Sequence, residues 1–242
     1  MKKVTSVEEG IKITLAMNEI ADKGNWRIIN TDDLVDVIEI DGRTYPFFWW
    51  REDSQLRIMK EMEQQIDSVS AKFDVINEAG QGLDKLMYRV FDEADWLIGS
   101  TIKKMMCFSN EKSMNILATY HNDKVVLFEL GSTLASGTVN QGHRTVWGKQ
   151  GMASDRVVSQ KLASSAVYVF TDSNKAEEYN DEVMHLYGLE KDDVMRVSAA
   201  YKILAGEINI EECRETDIRI RKYIKLAKQS AQSGERIIVE EA

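Results

Sequence analysis

The sequence predicts an α+β fold in which helices pack on one face of an open, mainly antiparallel β-sheet. Three observations support this prediction. Residues 101–170 show mostly the two-residue alternation of strands, whereas residues 175–232 show the helical period of apolar positions. In addition, 43% of the 242 residues are apolar, which is enough to form a packed core, so disorder does not describe the whole chain.

The first hundred residues contain both helical and strand-like segments. Thr5 or Ser6 before two glutamates predicts the start of a helix, because a hydroxyl accepts hydrogen bonds from backbone N–H groups there. Asp41-Gly42 is typical of a hairpin turn. The predicted elements are a helix at about 7–22, strands within 35–48, a helix at 54–64, a strand at 69–75 and a helix at about 83–98 that ends at Gly99.

The second part of the chain begins with a predicted hairpin and ends in helices. No internal repeat or flexible linker divides it. The predicted elements are strands at 114–120, 125–130 and 166–170, helices at about 175–187, 191–205 and 214–232, and a last strand at 236–240. The aromatic run 47–50, after Pro46, indicates either a core or interface role or a wall of a substrate site.

Charge and cysteine content narrow the class of protein. The chain has 40 acidic and 31 basic residues, and a net charge of -9 would repel nucleic acid. Two cysteines cannot form a disulfide framework and indicate free thiols in a reducing compartment. No signal peptide and no apolar run of membrane-spanning length is visible. We therefore expect a cytoplasmic protein that binds neither nucleic acid nor membrane.

The segment from Gly80 to Gly99 starts with paired glycines and ends in Trp-Leu-Ile-Gly. It resembles the helix that opens the C-terminal domain in the glucose-fructose oxidoreductase, inositol dehydrogenase and rhizopine-catabolism (Gfo/Idh/MocA) family. Other pieces follow in the family's order. They are Arg43 with Pro46 before a helix and strand, Trp147-Gly148-Lys149-Gln150-Gly151 as a strand and turn, and the stretch 217–238 as a closing helix and strand.

The resemblance also extends to the start of the chain. Lys2-Lys3-Val4 looks like the family's Glu-Lys-Pro segment, although valine replaces the proline. By this alignment, residues 1–30 resemble the tail of a Rossmann domain, and residues 31–242 form the C-terminal α+β domain. No Gly-x-Gly-x-x-Gly motif follows a strand, and Gly80-x-Gly82 has no third glycine. The alignment thus implies no cofactor for the chain alone, and NAD or NADP only with a Rossmann-domain partner chain.

The resemblance also assigns chemistry to the helix at 83–98. In the family, an aspartate and a histidine one turn apart face the nicotinamide, and Lys85 and Arg89 stand at those positions here, with Asp92 following. A guanidinium cannot exchange protons near neutral pH, and Lys85 could do so only if it were desolvated. On that condition Lys85 is a candidate catalytic residue. Lys3, which stands at the lysine of the Glu-Lys-Pro segment, is the other candidate, and a solvated terminal lysine is the alternative for it.

A second candidate site lies in the glycine-punctuated stretch 131–156. Asn140, His143, Arg144 and Trp147 are residue types that hold sugars, through planar hydrogen-bonding groups and an aromatic face. Together with Arg89 and Asp92 they are the predicted substrate-binding residues. A polar sheet edge or a subunit interface explains the same stretch equally well. The three histidines are far apart and form no His-x-x-x-His pair, so no metal site is predicted.

Three hypotheses for function remain. The first is a substrate-binding and oligomerisation domain related to sugar or inositol oxidoreductases, not catalytic alone. It would bind a carbohydrate- or cyclitol-like molecule, form a homo-oligomer through the sheet face, and act with a Rossmann partner. The second is a non-catalytic scaffold or interaction subunit. The third is a truncated dehydrogenase, which predicts the same structure.

Overall fold

A computed structural model describes residues 4–22, 24–79, 82–135, 141–156, 166–171, 176–180 and 188–239. They form two compact units. The first unit comprises the described residues of Met1–Ser54 and Asp181–Arg219, and the second those of Gln55–Asn180 and Ile220–Ala242. The division at residue 30 that the resemblance implies stays a prediction.

The secondary structure is numbered in chain order. The helices are α1 (Val7–Met17), α2 (Ser54–Gln65), α3 (Leu83–Ile98), α4 (Lys191–Leu204) and α5 (Ile210–Ser233), with a 3-10 turn at Trp49–Glu52. The strands are β1 (Trp26–Ile29), β2 (Val37–Ile40), β3 (Arg43–Pro46), β4 (Ser68–Glu78), β5 (Ile102–Ser109), β6 (Ser113–Tyr120), β7 (Val125–Leu134), β8 (Gln141–Gly148), β9 (Gly151–Ser154), β10 (Ala166–Thr171), β11 (Ala176–Asn180) and β12 (Ile237–Ile238).

The first unit contains a small antiparallel sheet and two packed helices. Its strands lie in the order β1-β2-β3, and Asp41 and Gly42 both have positive φ in the tight turn that joins β2 to β3, as predicted. Ser6 caps α1 by accepting from the backbone N–H of Glu9. A Cβ at Gly10 would lie 2.8 Å from the side chain of Val197, so glycine allows α1 to approach α4 closely.

Ion pairs fix α4 within the first unit. The Arg196 guanidinium lies 2.9 Å from the carboxylate of Asp36 and stacks 4.5 Å from the ring centre of Trp49. One turn or more along the helix, Lys202 contacts Glu52 at 2.6 Å. The aromatic run 47–50 is buried, which favours the core role over a substrate wall.

The second unit is built on a nine-stranded sheet in the order β11-β10-β9-β8-β4-β7-β6-β5-β12. Strand β4 lies at its centre and pairs with β7 in parallel, while the other neighbouring strands are antiparallel. The predicted fold class, an open and mainly antiparallel sheet with helices on one face, is confirmed.

Aromatic side chains join the sheet to its helices. Phe91 of α3 meets Phe128 of β7 edge-on at 5.3 Å and Tyr223 of α5 at 5.8 Å. The Tyr223 hydroxyl accepts a hydrogen bond from the backbone N–H of Ile102, at the start of β5. The core of the second unit therefore lies between this face of the sheet and helices α3 and α5.

Both cysteines are buried, and neither forms a disulfide. Burial raises the pKa of the Cys107 thiol to about 12, although a hydrogen bond with Ser230 opposes the shift. The expectation of free thiols, made from their number alone, is confirmed.

The helix predicted at 175–187 is wrong where the chain is described. Ala176–Asn180 is strand β11, which pairs in register with β10, so that Ala166 faces Asn180. Cross-strand pairing overrides the helical preference of Ala and Glu in this short segment. The rest of the predicted helix lies outside the described residues. Helix α1 also ends earlier than predicted, at Met17, because Glu19 takes a left-handed conformation with φ of 57°.

Candidate ligand-binding site on α3 and β8

Helix α3 carries the candidate residues on a face set by its 3.6-residue period. Lys85, Arg89 and Glu93 follow one another at intervals of four residues and so lie along one side of the helix. The helix ends at Gly99, whose left-handed conformation lets its N–H bond the carbonyl of Asp95 at 2.9 Å. This cap sets the C-terminal end of the helix that carries the three side chains.

Strand β8 brings an arginine to this side of α3. Arg144 is paired with Phe73 of β4, whose ring is buried in the core, and alternation along the strands gives both side chains the same face. The Arg144 Nε donates to Glu93 Oε2 at 3.0 Å, and its Nη1 donates to Asp155 Oδ2 at 3.0 Å. The backbone N–H of Arg144 also donates to the carboxylate of Asp155. Both carboxylates are buried, so the guanidinium is held from two sides.

A second arginine completes the cluster. Arg89 Nε donates to Glu93 Oε1 at 2.8 Å, so the two oxygens of Glu93 bind one guanidinium each. Burial alone would raise the pKa of the Glu93 carboxyl, but Arg144 and Arg89 outweigh burial and hold this pKa below its ordinary value. We call Arg89, Glu93, Arg144 and Asp155 the arginine–carboxylate chain. Its formal charges cancel.

The arginine–carboxylate chain suits binding better than proton transfer. Arginine stays protonated at any ordinary pH, and Glu93, with its lowered pKa, stays ionised near neutrality. Arg89 keeps 38% of its side chain exposed and is the most exposed of the four residues in the arginine–carboxylate chain. A guanidinium whose direction is fixed by a buried carboxylate can recognise the oxygen atoms of a ligand.

The structure separates the residues that the sequence grouped together. Lys85 is exposed, so burial does not supply the desolvation that a catalytic role would need, and this role stays a prediction. Asp92, also on α3, is fully buried. Lys3 and Asn140 lie outside the described residues.

Strand alternation divides the predicted site on β8. Arg144 points to the helices, whereas His143 and Trp147 belong to the opposite face, which we call the open face. On that face Asp74 is paired with His143, and Lys72 contacts Glu129 at 2.7 Å. The hydrogen bond with Glu129 raises the pKa of Lys72. His143 and Trp147 therefore do not share a site with Arg144.

Two residues of the arginine–carboxylate chain were not predicted. Glu93 carried one signal, since it stands four residues after Arg89 on the same helix. Asp155 gave no sequence signal beyond its place in a polar stretch, because the pairing of β8 with β9 is what brings it next to Arg144.

The sequence that leads into α3 does not match a dinucleotide-binding turn. Strand β4 leads through Gly82 into α3, but the third glycine of a pyrophosphate-binding turn would fall at position 85, where lysine stands. The described residues also contain no group of three or more side chains that could hold a metal ion. Among the same residues, no helix is long and apolar enough to cross a membrane.

Comparison with known proteins identifies the fold. No family model matches the sequence, and no curated protein does. Solved structures match. A putative oxidoreductase from Thermotoga maritima aligns with a TM-score of 0.62 at 12% identity, covering 81% of this chain and 63% of its own. A putative myo-inositol dehydrogenase from Sinorhizobium meliloti 1021 gives 0.58 at 12%, covering 80% and 64%.

A levoglucosan dehydrogenase, solved in complex with NADH and levoglucosan, gives a TM-score of 0.61 at 12% identity, covering 80% of this chain and 65% of its own. This chain thus spans less than two thirds of the length of each of the three. The predicted resemblance is confirmed in the fold, which is that of Gfo/Idh/MocA-type oxidoreductases.

Proposed function

We propose that this chain binds a polyhydroxylated ligand of the carbohydrate or cyclitol class, as the substrate-binding part of an oxidoreductase. The observation that carries the proposal is the arginine–carboxylate chain, which fixes Arg89 on α3. The resemblance puts at this position a residue that faces the nicotinamide and serves as acid or base for a sugar hydroxyl. Two structural neighbours are a levoglucosan dehydrogenase and a putative myo-inositol dehydrogenase, and their substrates support this ligand class.

The contacts of the cluster favour a ligand rich in oxygen. Arg89, whose Nε is already paired with Glu93, loses less side-chain freedom on binding than a mobile arginine would, which favours hydrogen bonds to a hydroxyl or carboxylate oxygen of a ligand. Lys85, one turn away and exposed, adds a second donor on the same side of the helix. A ligand with several adjacent hydroxyl groups can contact both.

In this proposal the chain binds and orients the substrate, and oxidation depends on a nucleotide-binding partner domain. Bound there, NAD or NADP would supply the hydride acceptor. Arg89 cannot take the hydroxyl proton that such a reaction releases, because its guanidinium stays protonated. Arg89 then contributes position and charge, and another group has to accept the proton.

Replacing Arg89 by methionine is expected to weaken ligand binding about tenfold or more, since a hydrogen bond to a charged group contributes about 1.5–3 kcal/mol. Isothermal titration calorimetry with levoglucosan, myo-inositol and L-sorbose measures this effect. Arg27→Met, which removes an exposed arginine from a surface ion pair, is the matched control. Unfolding curves of both variants ensure that folded protein is compared.

If none of the three compounds binds the unmodified chain, or if Arg89→Met binds as well as Arg27→Met does, the proposed site is wrong. Arg89→Lys is a further variant, because it keeps the charge and loses the planar donor geometry. An intermediate affinity for this variant is expected if the fork of the guanidinium contacts the ligand.

A second candidate function, a subunit that assembles through its sheet, is favoured by the open face. Phe108, Leu117, Val125 and Trp147 each keep between 38% and 57% of their surface exposed. In register, Leu117 of β6 lies between Leu127 of β7 and Met106 of β5, so these three apolar side chains form a continuous row. Exposed apolar patches of this kind mark association surfaces.

Replacing Leu117 by aspartate is expected to dissociate a homo-oligomer that forms through the open face, because it puts an unpaired charge in the middle of the apolar row. Sedimentation equilibrium measures the assembly state. Ile218→Asp, at an exposed apolar residue on α5, is the control and is expected to leave the state unchanged. An unmodified chain that stays monomeric, or an oligomer that survives Leu117→Asp, would exclude this interface.

A further inference from the structure

A groove of about 630 Å³ lies within the first unit and belongs to neither site described above. Its floor is formed by buried Leu15 of α1 and Ile203 of α4. Its walls are half-buried apolar side chains, among them Trp26, Ile40 and Ile208. The volume falls within the range of about 300–1,000 Å³ typical of small-molecule sites, and the walls keep apolar surface that an occupant could cover.

The rim of the groove is polar and carries negative charge. Asp22 and Asp41 stand on it, together with Asn25 and Asn209, and no lysine or arginine is found among the described residues that line the groove. Lys12, which does not line the groove, acts on Asp22 from outside it, so no described cation inside the groove neutralises the two carboxylates.

Hydrogen bonds hold both carboxylates in place at the rim. Asp22 Oδ1 accepts from Trp26 Nε1 at 3.0 Å and from the backbone N–H of Gly24 at 2.9 Å. Asp41 Oδ1 accepts from Asn25 Nδ2 at 3.2 Å, and the Asp41 backbone N–H bonds the carbonyl of Asn25 at 2.9 Å. The hydrogen bond from Trp26 lowers the pKa of Asp22, so this carboxylate is ionised at neutral pH.

We infer that this groove binds an organic ammonium ion with an apolar body. The apolar floor and walls favour a hydrocarbon or aromatic group. The two carboxylates favour a positive charge at the rim, and the indole of Trp26 beside them offers a ring face for cation–π contact. An anionic ligand would be repelled by the rim, and a neutral apolar one would form no ion pair with the two carboxylates.

A charge series tests the inference on the full chain labelled with ¹⁵N at the indole nitrogens. Phenethylammonium chloride, neutral phenethyl alcohol and sodium 3-phenylpropanoate share an aromatic body and differ in charge. We expect phenethylammonium to shift the indole N–H signal of Trp26, assigned with Trp26→Phe, and to leave that of Trp147 unchanged. Phenethyl alcohol should bind more weakly, and 3-phenylpropanoate should not bind.

The double variant Asp22→Asn/Asp41→Asn keeps the side-chain shapes and removes the charge. It is expected to weaken phenethylammonium binding about tenfold, which is the effect of losing two exposed ion pairs. Asp32→Asn/Asp192→Asn makes the same change in net charge at two exposed residues that do not line the groove, and it should bind like the unmodified chain.

Three results would overturn the inference. They are a Trp26 signal that does not move, equal binding of all three compounds, and equal loss of affinity in the two double variants. The first would show that the groove takes none of these ligands, the second that it is only an apolar surface, and the third that net charge alone acts. None of these results bears on polyol binding at Arg89, which is measured with different ligands.

Discussion

Glu93→Gln is expected to lower the free energy of unfolding by about 3–5 kcal/mol, the usual cost of breaking a buried ion pair by removing one partner. Glu93 is buried and binds a different arginine with each carboxylate oxygen. Glutamine is nearly the same size, so the loss is electrostatic rather than a packing defect. It removes one of the two carboxylates that hold the buried guanidinium of Arg144, while the contact with Asp155 is kept. Urea unfolding at neutral pH measures the change.

Glu211→Gln is the matched control for this substitution. Glu211 also pairs with an arginine, at 3.1 Å from Arg214, but both side chains are largely exposed. Its replacement is expected to cost at most about 0.5 kcal/mol. If the two variants lose similar stability, the buried cluster contributes no more than a surface pair, and the account of Arg89 as a fixed side chain fails with it.

The same carboxylate predicts how stability depends on pH. The pKa of Glu93 is lower in the folded chain than its ordinary value of 4.5, so the unfolded chain takes up the proton first. The stabilisation from ionised Glu93 is therefore fully present at neutral pH and is lost as the pH falls below 4.5 towards the folded pKa. In Glu93→Gln this part of the acid destabilisation is expected to disappear, which unfolding curves across that range measure.

Gly148→Ala is expected to destabilise the second unit by about 3 kcal/mol or more, at the upper end of overpacking effects. A Cβ at Gly148 would lie 2.0 Å from the carbonyl oxygen of Ile66 and 2.9 Å from that of Asp67. Both obstacles are backbone atoms, which cannot rotate away. The same turn donates from the backbone N–H of Gln150 to the Ile66 carbonyl at 3.1 Å, so movement of the segment would also break this hydrogen bond.

Gly142→Ala is the control in the same strand. A Cβ there meets only the methyl groups of Val75, at 3.7 and 3.9 Å, which is ordinary contact. Thermal unfolding of the two variants side by side measures the difference. A small loss for Gly148→Ala, no larger than that for Gly142→Ala, would contradict the close approach of β8 to the end of α2.

Much of the fold could be predicted because its signals are local. Helix α3 has the predicted bounds, since its apolar period and the glycine at its C-terminus lie within the segment itself. The turn at Asp41-Gly42 is equally local. Strand β11 could not be predicted in this way, because a segment rich in Ala and Glu becomes a strand only through its neighbour β10.

The candidate site was less predictable because its contacts are distant in sequence. Glu93 and Arg144 meet only after β8 has paired with β4 beneath α3, an arrangement that no local pattern specifies. Arg144 was grouped with His143 and Trp147 because the three are close in sequence. Once the stretch is a strand, alternation sends neighbouring side chains to opposite faces.

The parallel pairing of β4 with β7 sets the order in which the sheet can form. Strands β5, β6 and β7 are joined by short turns and can pair early as a meander, at little cost in chain entropy. The central strand must wait, because Ser70 meets Val125 only after α3 and two intervening strands have folded between them. The strand that holds both halves of the sheet together is thus expected to join late in folding, so that changes near Gly148 should act more on the unfolding rate than on the folding rate.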